Sequence, residues 1–193
     1  MPTKINEDLL IAAATEVFAE RGYAGAGVAE IARRAGVTTG AIYSRYTGKS
    51  ELLLEALDRS FGQHLEAILS SSESDTPTEL LASLGSHLLD QHGGEDALFL
   101  EAIVASRRDK ELSEMLGRRL EDMGMRYAKI IEEAKTDGQF DQTIDTAAIV
   151  TFIQAISLGF TIFRTLNTPM PDPDEWQIVI NTVIASALPT TTG

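Results

Sequence analysis

Residues 36–53, GVTTGAIYSRYTGKSELL, place two cations, Arg45 and Lys49, in a stretch that holds no acid before Glu51. A guanidinium can bridge two acceptors of guanine, so Arg45 suits base readout, and a phosphate contact suits it nearly as well. Lys49 is placed to open a helix, where free N–H groups and the positive end of the helix dipole already favour a phosphate. These residue types at this spacing favour contact with a polyanion.

Smaller polar residues surround the two cations and would let a helix approach base edges closely. Thr38 can cap that helix or hydrogen-bond a phosphate, and both roles fit it about equally well. Tyr43 lies off the predicted core face, which suits its hydroxyl to a phosphate. For the small residues, a solvated helix face is the alternative. The predicted DNA-binding residues are Thr38, Thr39, Gly40, Tyr43, Ser44, Arg45 and Lys49.

The sequence offers no second pattern with recognisable chemistry. The chain has no cysteine, which excludes a disulfide framework and a zinc-thiolate site. Its three histidines, His64, His87 and His92, form no pair at metal-ligand spacing, and no phosphate-binding or dinucleotide-binding glycine motif is present. We therefore expect no metal, no cofactor and no enzymatic activity.

Charge is distributed unevenly along the chain. The formal net charge is −13 over 193 residues, yet residues 1–60 carry seven Lys and Arg against eight Asp and Glu. Residues 31–50 hold four basic residues and no acid. Because an acidic surface repels a DNA duplex, a duplex would be tolerated at the N-terminal end and repelled by the rest of the molecule.

Hydrophobic spacing predicts helices along nearly the whole chain, and no segment shows the sustained alternation of a strand. Gly22 is the predicted stop of the first helix and Gly36 that of the second, while Thr38 caps the third, in which Ile42 and Tyr46 share the core face. The predicted fold is all-α, with helices at about residues 6–21, 28–35, 39–46, from 49 or 50 onwards, 78–91, 95–107, 110–136, 144–166 and 173–187.

The most apolar run, residues 147–163, is shorter than the ~20 residues of a membrane span and contains four polar side chains. We expect a buried or interface helix there. The first ten residues, MPTKINEDLL, contain two acids and no apolar core, so a secretory signal is not expected and the predicted location is the cytoplasm.

Residues 5–57 resemble the N-terminal DNA-binding domain of the tetracycline-repressor (TetR/AcrR) family of bacterial transcription regulators. Four segments, AAATEVFAERGY, VAEIARRAGV, TTGAIYSRY and GKSELL, follow in the family's order and at its spacing. Two positions depart from the pattern: Gly27 stands where a Ser or Thr usually caps the second helix, and Ser50 where an acid usually follows the lysine. Gly27 therefore leaves only a backbone N–H for a phosphate contact that a hydroxyl can make in the family.

The resemblance implies a helix-turn-helix DNA-binding domain of three helices at residues 1–48 and a larger helical ligand-binding and dimerisation domain at residues 49–193. It implies a homodimeric repressor that binds an inverted-repeat operator and is released by a small effector. In the family, an effector between helices four and seven tilts helix four and changes the separation of the recognition helices. The alternative is a helical carrier or enzyme that keeps only a small-molecule cavity.

Two further sets of residues are predicted in the larger domain. Apolar faces interrupted by a few polar groups predict a cavity for a mainly apolar ligand with one polar end, and a filled core is the alternative. The predicted ligand-binding residues are Phe61, His64, Leu65, Leu84, His87, Leu88, Phe99, Ile103 and Arg107. By resemblance, residues 110–136 and 144–166 form the dimer interface, with Ile149, Phe152, Ile153, Ile156, Phe160 and Phe163 at its centre.

Overall fold

The computed structural model describes residues 6–59, 76–90 and 95–189, and every regular element in those ranges is helical. The all-α prediction is therefore confirmed. The elements are α1 (Glu7–Gly25), α2 (Val28–Ala35), α3 (Thr39–Tyr43), α4 (described over 49–59), α5 (Pro77–Ser86), a 3₁₀ turn (His87–Leu89), α6 (Glu95–Ser106), α7 (Lys110–Thr136), α8 (Thr146–Thr165) and α9 (Pro173–Ser186).

The predicted and observed ends agree closely at most helices, and two differences have a physical cause. The chain leaves helical geometry at Gly22, with φ 65°, but turns back into helix up to Gly25. The first helix was therefore predicted too short. The third was predicted too long, because α3 ends at Tyr43 and residues 44 and 45 form a turn, after which Tyr46 is still buried in the core.

The described residues form two compact units that do not follow a single cut of the chain. One unit comprises those within 1–64 and 92–118, and the other those within 65–91 and 119–193. In the first unit, α6 and the start of α7 thus pack with the N-terminal helices. The predicted functional boundary between residues 48 and 49 stays a prediction.

The first unit is built on one apolar core. It confirms the predicted core position of Ile42 in α3, which is buried there together with Phe18 of α1 and Ile31 of α2. Two helices from further along the chain add Leu98 and Leu112. Burying each such side chain contributes roughly 1.5–3 kcal/mol, so α6 and α7 help to stabilise the core on which the N-terminal helices pack.

The second unit packs α5, α7, α8 and α9 around a separate core that includes Ile131 and Phe140. Gly85 lets α5 and α9 approach closely, because a Cβ there would lie 2.8 Å from Ile180 Cδ1. The indole N–H of Trp176 donates to the Gly85 carbonyl at 2.9 Å, and its ring lies 4.9 Å from that of Phe160. These contacts fix α9 against α5 and α8.

By length and composition, α8 is the one helix among the described residues that could cross a membrane. A core or interface helix of a soluble protein can have the same length and apolar content. The length and apolar content of α8 therefore do not by themselves distinguish a membrane span from a core or interface helix.

Candidate nucleic-acid interface

Two successive caps hold α2 and α3 in a helix-turn-helix. Gly36 adopts the left-handed conformation, with φ 68°, and lets the Val37 N–H bond back to the Ala32 carbonyl at 3.0 Å. Thr38 then caps α3, because its Oγ1 accepts from the Ala41 N–H at 3.1 Å. The predicted capping role of Thr38 is confirmed, and a glycine in this turn spares the strain of a side chain in the left-handed region.

The predicted DNA-binding residues lie around one short helix. Ile42 and Tyr46 enter the core, whereas Tyr43 is 57% exposed. The other predicted residues of α3 and the turn after it are also exposed, and Lys49 is half-buried. The structure thus presents Thr38, Thr39, Gly40, Tyr43, Ser44 and Arg45 to solvent, and their DNA contacts stay a prediction.

Acidic side chains from outside residues 31–50 reach the basic residues within that stretch. The guanidinium of Arg45 pairs with Glu7 in the first turn of α1. Arg33 donates to Glu30 at 2.8 Å, and Arg34 donates to Glu20 at 2.8 Å and to Glu30 at 3.0 Å. Residues 31–50 contain no acid themselves, but in the folded chain acids from other segments lie beside the arginines of this stretch.

Glu30 lies between the arginines of α2 and remains ionised over a wide pH range. Hydrogen bonds from Arg33 and Arg34 lower the pKa of its carboxyl group to about 2. Hydrogen bonding from Arg34 also lowers the pKa of Glu20. Arg33 and Arg34 thus have a structural role at the end of α2.

Lys49 opens α4, as predicted, and its ammonium group lies against Tyr23. Nζ donates to the Tyr23 carbonyl at 2.8 Å and lies 4.3 Å from the centre of the phenol ring. The side chain is half-buried rather than extended into solvent. The ammonium group has three N–H donors, so the Tyr23 carbonyl leaves two of them for a phosphate contact by Lys49.

Tyr23 joins the end of α1 to α4, α6 and the start of α7. Its hydroxyl donates to Asp109 Oδ2 at 2.6 Å and lies 2.7 Å from Ser50 Oγ, and its N–H donates to Glu101 Oε1 at 2.8 Å. Burial and the hydrogen bond to Asp109 raise the pKa of Tyr23 to about 12. The phenol therefore keeps its proton and its donor role at neutral pH.

The second unit contains an apolar cavity of about 360 Å³ between α5, α8 and α9. This volume lies within the ~300–1,000 Å³ of small-molecule sites. The cavity is lined by Leu81, Leu84, Gly85, Leu88, Phe140, Ile144, Ala148, Ile149, Phe152, Ile153, Ile156, Ile180, Val183, Ile184, Ser186 and Ala187. Among these residues, only Ser186 has a polar side chain.

The predicted ligand-binding residues are not all brought together. Phe61, His64 and Leu65 lie outside the described residues. Leu84 and Leu88 line the cavity, but His87 bonds the Ser83 carbonyl at 2.7 Å and does not line it. Within the first unit, Phe99 packs against the core, Ile103 is 37% exposed and Arg107 is exposed.

Four of the six predicted dimer residues, Ile149, Phe152, Ile153 and Ile156, also line the cavity. Phe160 is buried, while Phe152 and Phe163 are each 49% exposed. Large apolar side chains are exposed on α9 as well, namely Ile178, Val179 and Val183. The exposed apolar surface of this unit thus lies mainly on α8 and α9.

Comparison with known proteins identifies the protein family of this chain. The family profile described as bacterial regulatory proteins, tetR family, matches residues 10–56. The HTH-type transcriptional repressor KstR2 of Rhodococcus jostii (strain RHA1) is 30% identical over 154 residues, which cover 76% of this chain and 73% of the repressor. This chain belongs to the TetR family.

Two further comparisons extend the similarity over nearly the whole chain. The fatty acid metabolism regulator protein of Bacillus subtilis (strain 168) is 28% identical over 171 residues, covering 88% of this chain and 86% of that protein. The structure of the regulator FadR from Bacillus subtilis in complex with stearoyl-CoA has a TM-score of 0.66 at 24% identity and covers 92% of this chain and 95% of that one. The fold of both units is therefore that of TetR-family regulators.

Membership confirms the predicted class of function. The chain is a ligand-responsive, DNA-binding transcriptional regulator and not an enzyme. The alternative of a carrier or enzyme finds no support among these relatives.

The sequence did not single out several residues that organise the TetR-type DNA-binding unit. Glu7 counted only as one of two acids in the first ten residues, and Tyr23 only as the end of a matched segment. Asp109 lay between the helices predicted at 95–107 and 110–136. Their contacts join residues 38 or more positions apart, from Glu7 to Arg45 and from Tyr23 to Asp109, so no local pattern indicates them.

Proposed function

We propose that this TetR-family regulator is a cytoplasmic repressor that binds an inverted-repeat operator as a homodimer and is released by a small, mainly apolar effector. One observation carries the proposal: a helix-turn-helix with an exposed polar face occurs in a chain whose second unit contains an apolar cavity. The two features fit the two ligands of such a switch, a duplex and an apolar small molecule.

The operator contacts proposed for α3 divide into two kinds. Arg45, with hydroxyl groups nearby, is suited to base edges, whereas Lys49 and Tyr43 are suited to phosphates. Thr38 can still donate its hydroxyl proton to a phosphate, because its oxygen accepts the capping bond. In a dimer, two copies of α3 would read two half-sites.

The effector is proposed to occupy the cavity between α5, α8 and α9. Its walls are almost entirely aliphatic or aromatic, which favours an apolar chain or ring over a charged molecule. The Bacillus subtilis regulator that was solved with stearoyl-CoA holds a ligand with a long apolar chain and a polar end. A mainly apolar molecule with one polar end is therefore the proposed class of effector.

The dimer interface is proposed to involve α8 and α9. Phe152 and Phe163 on α8, and Val179 and Val183 on α9, expose apolar surface that a second copy would cover. In α7, the only exposed large apolar side chain among the described residues is Met125. Because Phe152 and Val183 also line the cavity, a partner packed on them would cover part of its rim. We propose that α8 contacts this partner and not a membrane.

Footprinting and gel-shift titration on the DNA upstream of the protein's own gene test the operator proposal. The expected result is protection of two inverted half-sites by a dimer, with recognition helices about 34–36 Å apart or a near multiple of that distance. A carrier would retain DNA only weakly, in a salt-sensitive and sequence-independent way. Protection of one asymmetric half-site by a monomer would contradict the proposal.

Filling the cavity tests the effector proposal. Leu84→Trp places an indole among the lining residues and should abolish the response to fatty acids or their thioesters, while operator affinity stays near that of the wild type. Ile103→Trp is the control, because this partly exposed residue of the first unit does not line the cavity. Fluorescence titration of a fatty-acid probe measures how tightly each variant binds it. Equal effects of the two substitutions on this binding would contradict the proposed site.

A further inference from the structure

Lys49 is the one cation of residues 6–59 whose partner is neutral. Within that range every arginine pairs with a carboxylate, namely Arg21, Arg33, Arg34, Arg45 and Arg59. Lys49 instead donates to the Tyr23 carbonyl at 2.8 Å, and its ammonium group lies 4.3 Å from the centre of the Tyr23 ring. A phosphate is therefore added to the partners of Lys49, whereas at an arginine it has to replace a carboxylate.

Tyr23 is itself fixed at both ends by other parts of the first unit. Its N–H donates to Glu101 Oε1 of α6 at 2.8 Å. Its hydroxyl donates to Asp109 Oδ2 at 2.6 Å and lies 2.7 Å from Ser50 Oγ. The residue is 6% exposed, so neither its carbonyl nor its ring can follow a mobile ammonium group. Tyr23 therefore confines the ammonium group of Lys49 to one place.

These contacts are compatible with a phosphate on the same ammonium group. The carbonyl takes one of its three N–H donors, and the ring face attracts the positive charge. Lys49 is half-buried at the N-terminal end of α4, where the helix dipole also favours a phosphate. A DNA complex can thus keep both contacts with Tyr23, and no partner of Lys49 is lost when the phosphate binds.

The expected benefit of this arrangement comes from the side-chain entropy of Lys49. An unconfined lysine populates many rotamers and loses them when its ammonium group binds a phosphate. Ordering such a side chain on binding lowers the affinity by roughly 2- to 12-fold. A lysine that Tyr23 already confines has lost much of this freedom on folding. The gain is the same for every duplex, because a phosphate carries no sequence information.

We propose that Tyr23 is a positioning residue of the DNA site: its carbonyl and ring hold the Lys49 ammonium group where a backbone phosphate binds it. This inference rests on the proposed function, in which Lys49 contacts a phosphate. It gives the ring of Tyr23 a role in DNA affinity, whereas the hydroxyl joins Asp109 and Ser50 within the unit.

The test compares Tyr23→Leu with Phe18→Leu in the full-length protein, each with and without Lys49→Ala. Both substitutions remove a buried ring from the same core, and the two rings stack with their centres 6.2 Å apart. The ammonium group of Lys49 lies over the ring of Tyr23. Tyr23→Phe is the conservative variant, because it keeps this ring. The probes are a duplex selected by the wild-type protein from a random library and a scrambled duplex. Circular dichroism verifies folding.

Tyr23→Leu should weaken binding to both duplexes by the same factor, roughly 2- to 12-fold. Tyr23→Phe should recover most of that affinity even though its hydroxyl is missing. Phe18→Leu should stay within about twofold of the wild-type protein, below the cost of ordering a lysine side chain. With Lys49→Ala in place, Tyr23→Leu and Tyr23→Phe should bind equally. A purely structural role of Tyr23 would not make their difference depend on Lys49.

Proton NMR of the wild-type protein gives a second measurement that does not require Tyr23→Leu to fold. Because the ammonium group lies over the ring, the ring current should shift the Lys49 Cε proton resonances upfield. Comparison with Lys49→Ala assigns these resonances. The upfield shift should persist when the scrambled duplex is bound.

An upfield shift that disappears on the duplex would overturn the inference, because the ring would then compete with DNA for Lys49. Unchanged affinity of Tyr23→Leu would overturn it, as would equal losses from Tyr23→Leu and Phe18→Leu. A difference between Tyr23→Leu and Tyr23→Phe that persists with Lys49→Ala would do so too. All these results leave the proposed function in place. If Lys49→Ala leaves affinity and its salt dependence unchanged, the proposed phosphate contact fails first and the inference fails with it.

Discussion

At the level of single residues, Arg45 and Lys49 are expected to contribute differently to DNA binding. Arg45→Ala should cost ~1–3 kcal/mol on the operator and relax the preference at one base position. Lys49→Ala should weaken binding to all sequences and reduce the salt slope by roughly 1 per site. Titrations on operator and scrambled duplexes at several salt concentrations measure both effects. Equal, sequence-independent losses would make Arg45 a phosphate contact.

Tyr23→Phe should destabilise the first unit, because it removes the hydroxyl that contacts Asp109 and Ser50. Leaving these buried or half-buried groups without that partner costs roughly 1–3 kcal/mol in the free energy of unfolding. Tyr43→Phe is the matched control, since the Tyr43 side chain is exposed. Urea denaturation at neutral pH should show a clear loss for the first variant and almost none for the second.

The same phenol predicts a pH dependence. Because the pKa of Tyr23 is raised from 10.0 to about 12 in the folded chain, its contribution to stability is complete below pH ~10 and is lost as the pH rises towards about 12. The wild-type protein should therefore lose its stability advantage over Tyr23→Phe in that interval. An advantage that stays constant from neutral pH to pH ~12 would contradict the assignment.

At the level of helices, Gly22 is a position where only glycine fits. Its φ is 65°, and a Cβ would lie 2.8 Å from Glu101 Oε1, the atom that accepts the Tyr23 N–H. Gly22→Ala should therefore destabilise the protein by about 1–3 kcal/mol. Gly117→Ala in α7, where a Cβ would meet nothing within 4 Å, should be stabilising by up to ~1 kcal/mol. Thermal unfolding should show shifts of opposite sign.

The ends of the helices could be predicted because their signals are local. Thr38 and Gly36 cap neighbouring helices through atoms within a few residues, and the predicted bounds of α7, 110–136, are those observed. The path of the chain after Gly22 could not be predicted, because Glu101, far along the sequence, accepts the N–H of the next residue. A residue whose partner comes from another helix carries no mark of that partner in its own segment.

At the level of the whole molecule, the two units differ in how far the sequence reveals their sites. The residues of the proposed DNA site lie within 38–49, so their order alone indicates a helix-turn-helix. The cavity gathers side chains from α5, α8 and α9, and each of those helices is apolar enough to be core. Ile180 and Ile184 were therefore not predicted to line it, although α9 itself was predicted.

The proposed dimer gives a final prediction that separates α9 from α7. Val179→Lys places a charge on the exposed apolar surface of α9, where Val179 is 48% exposed, and should dissociate the dimer because a buried lysine without a partner is costly. Met125→Lys makes a comparable change on α7, where Met125 is 64% exposed, and should leave the dimer intact. Sedimentation velocity measures the mass of each variant. Since a monomer presents only one copy of α3, Val179→Lys should also lose affinity for the two-half-site operator while retaining its weak binding to a single half-site. Dissociation by Met125→Lys alone would instead place the interface on α7 and α8.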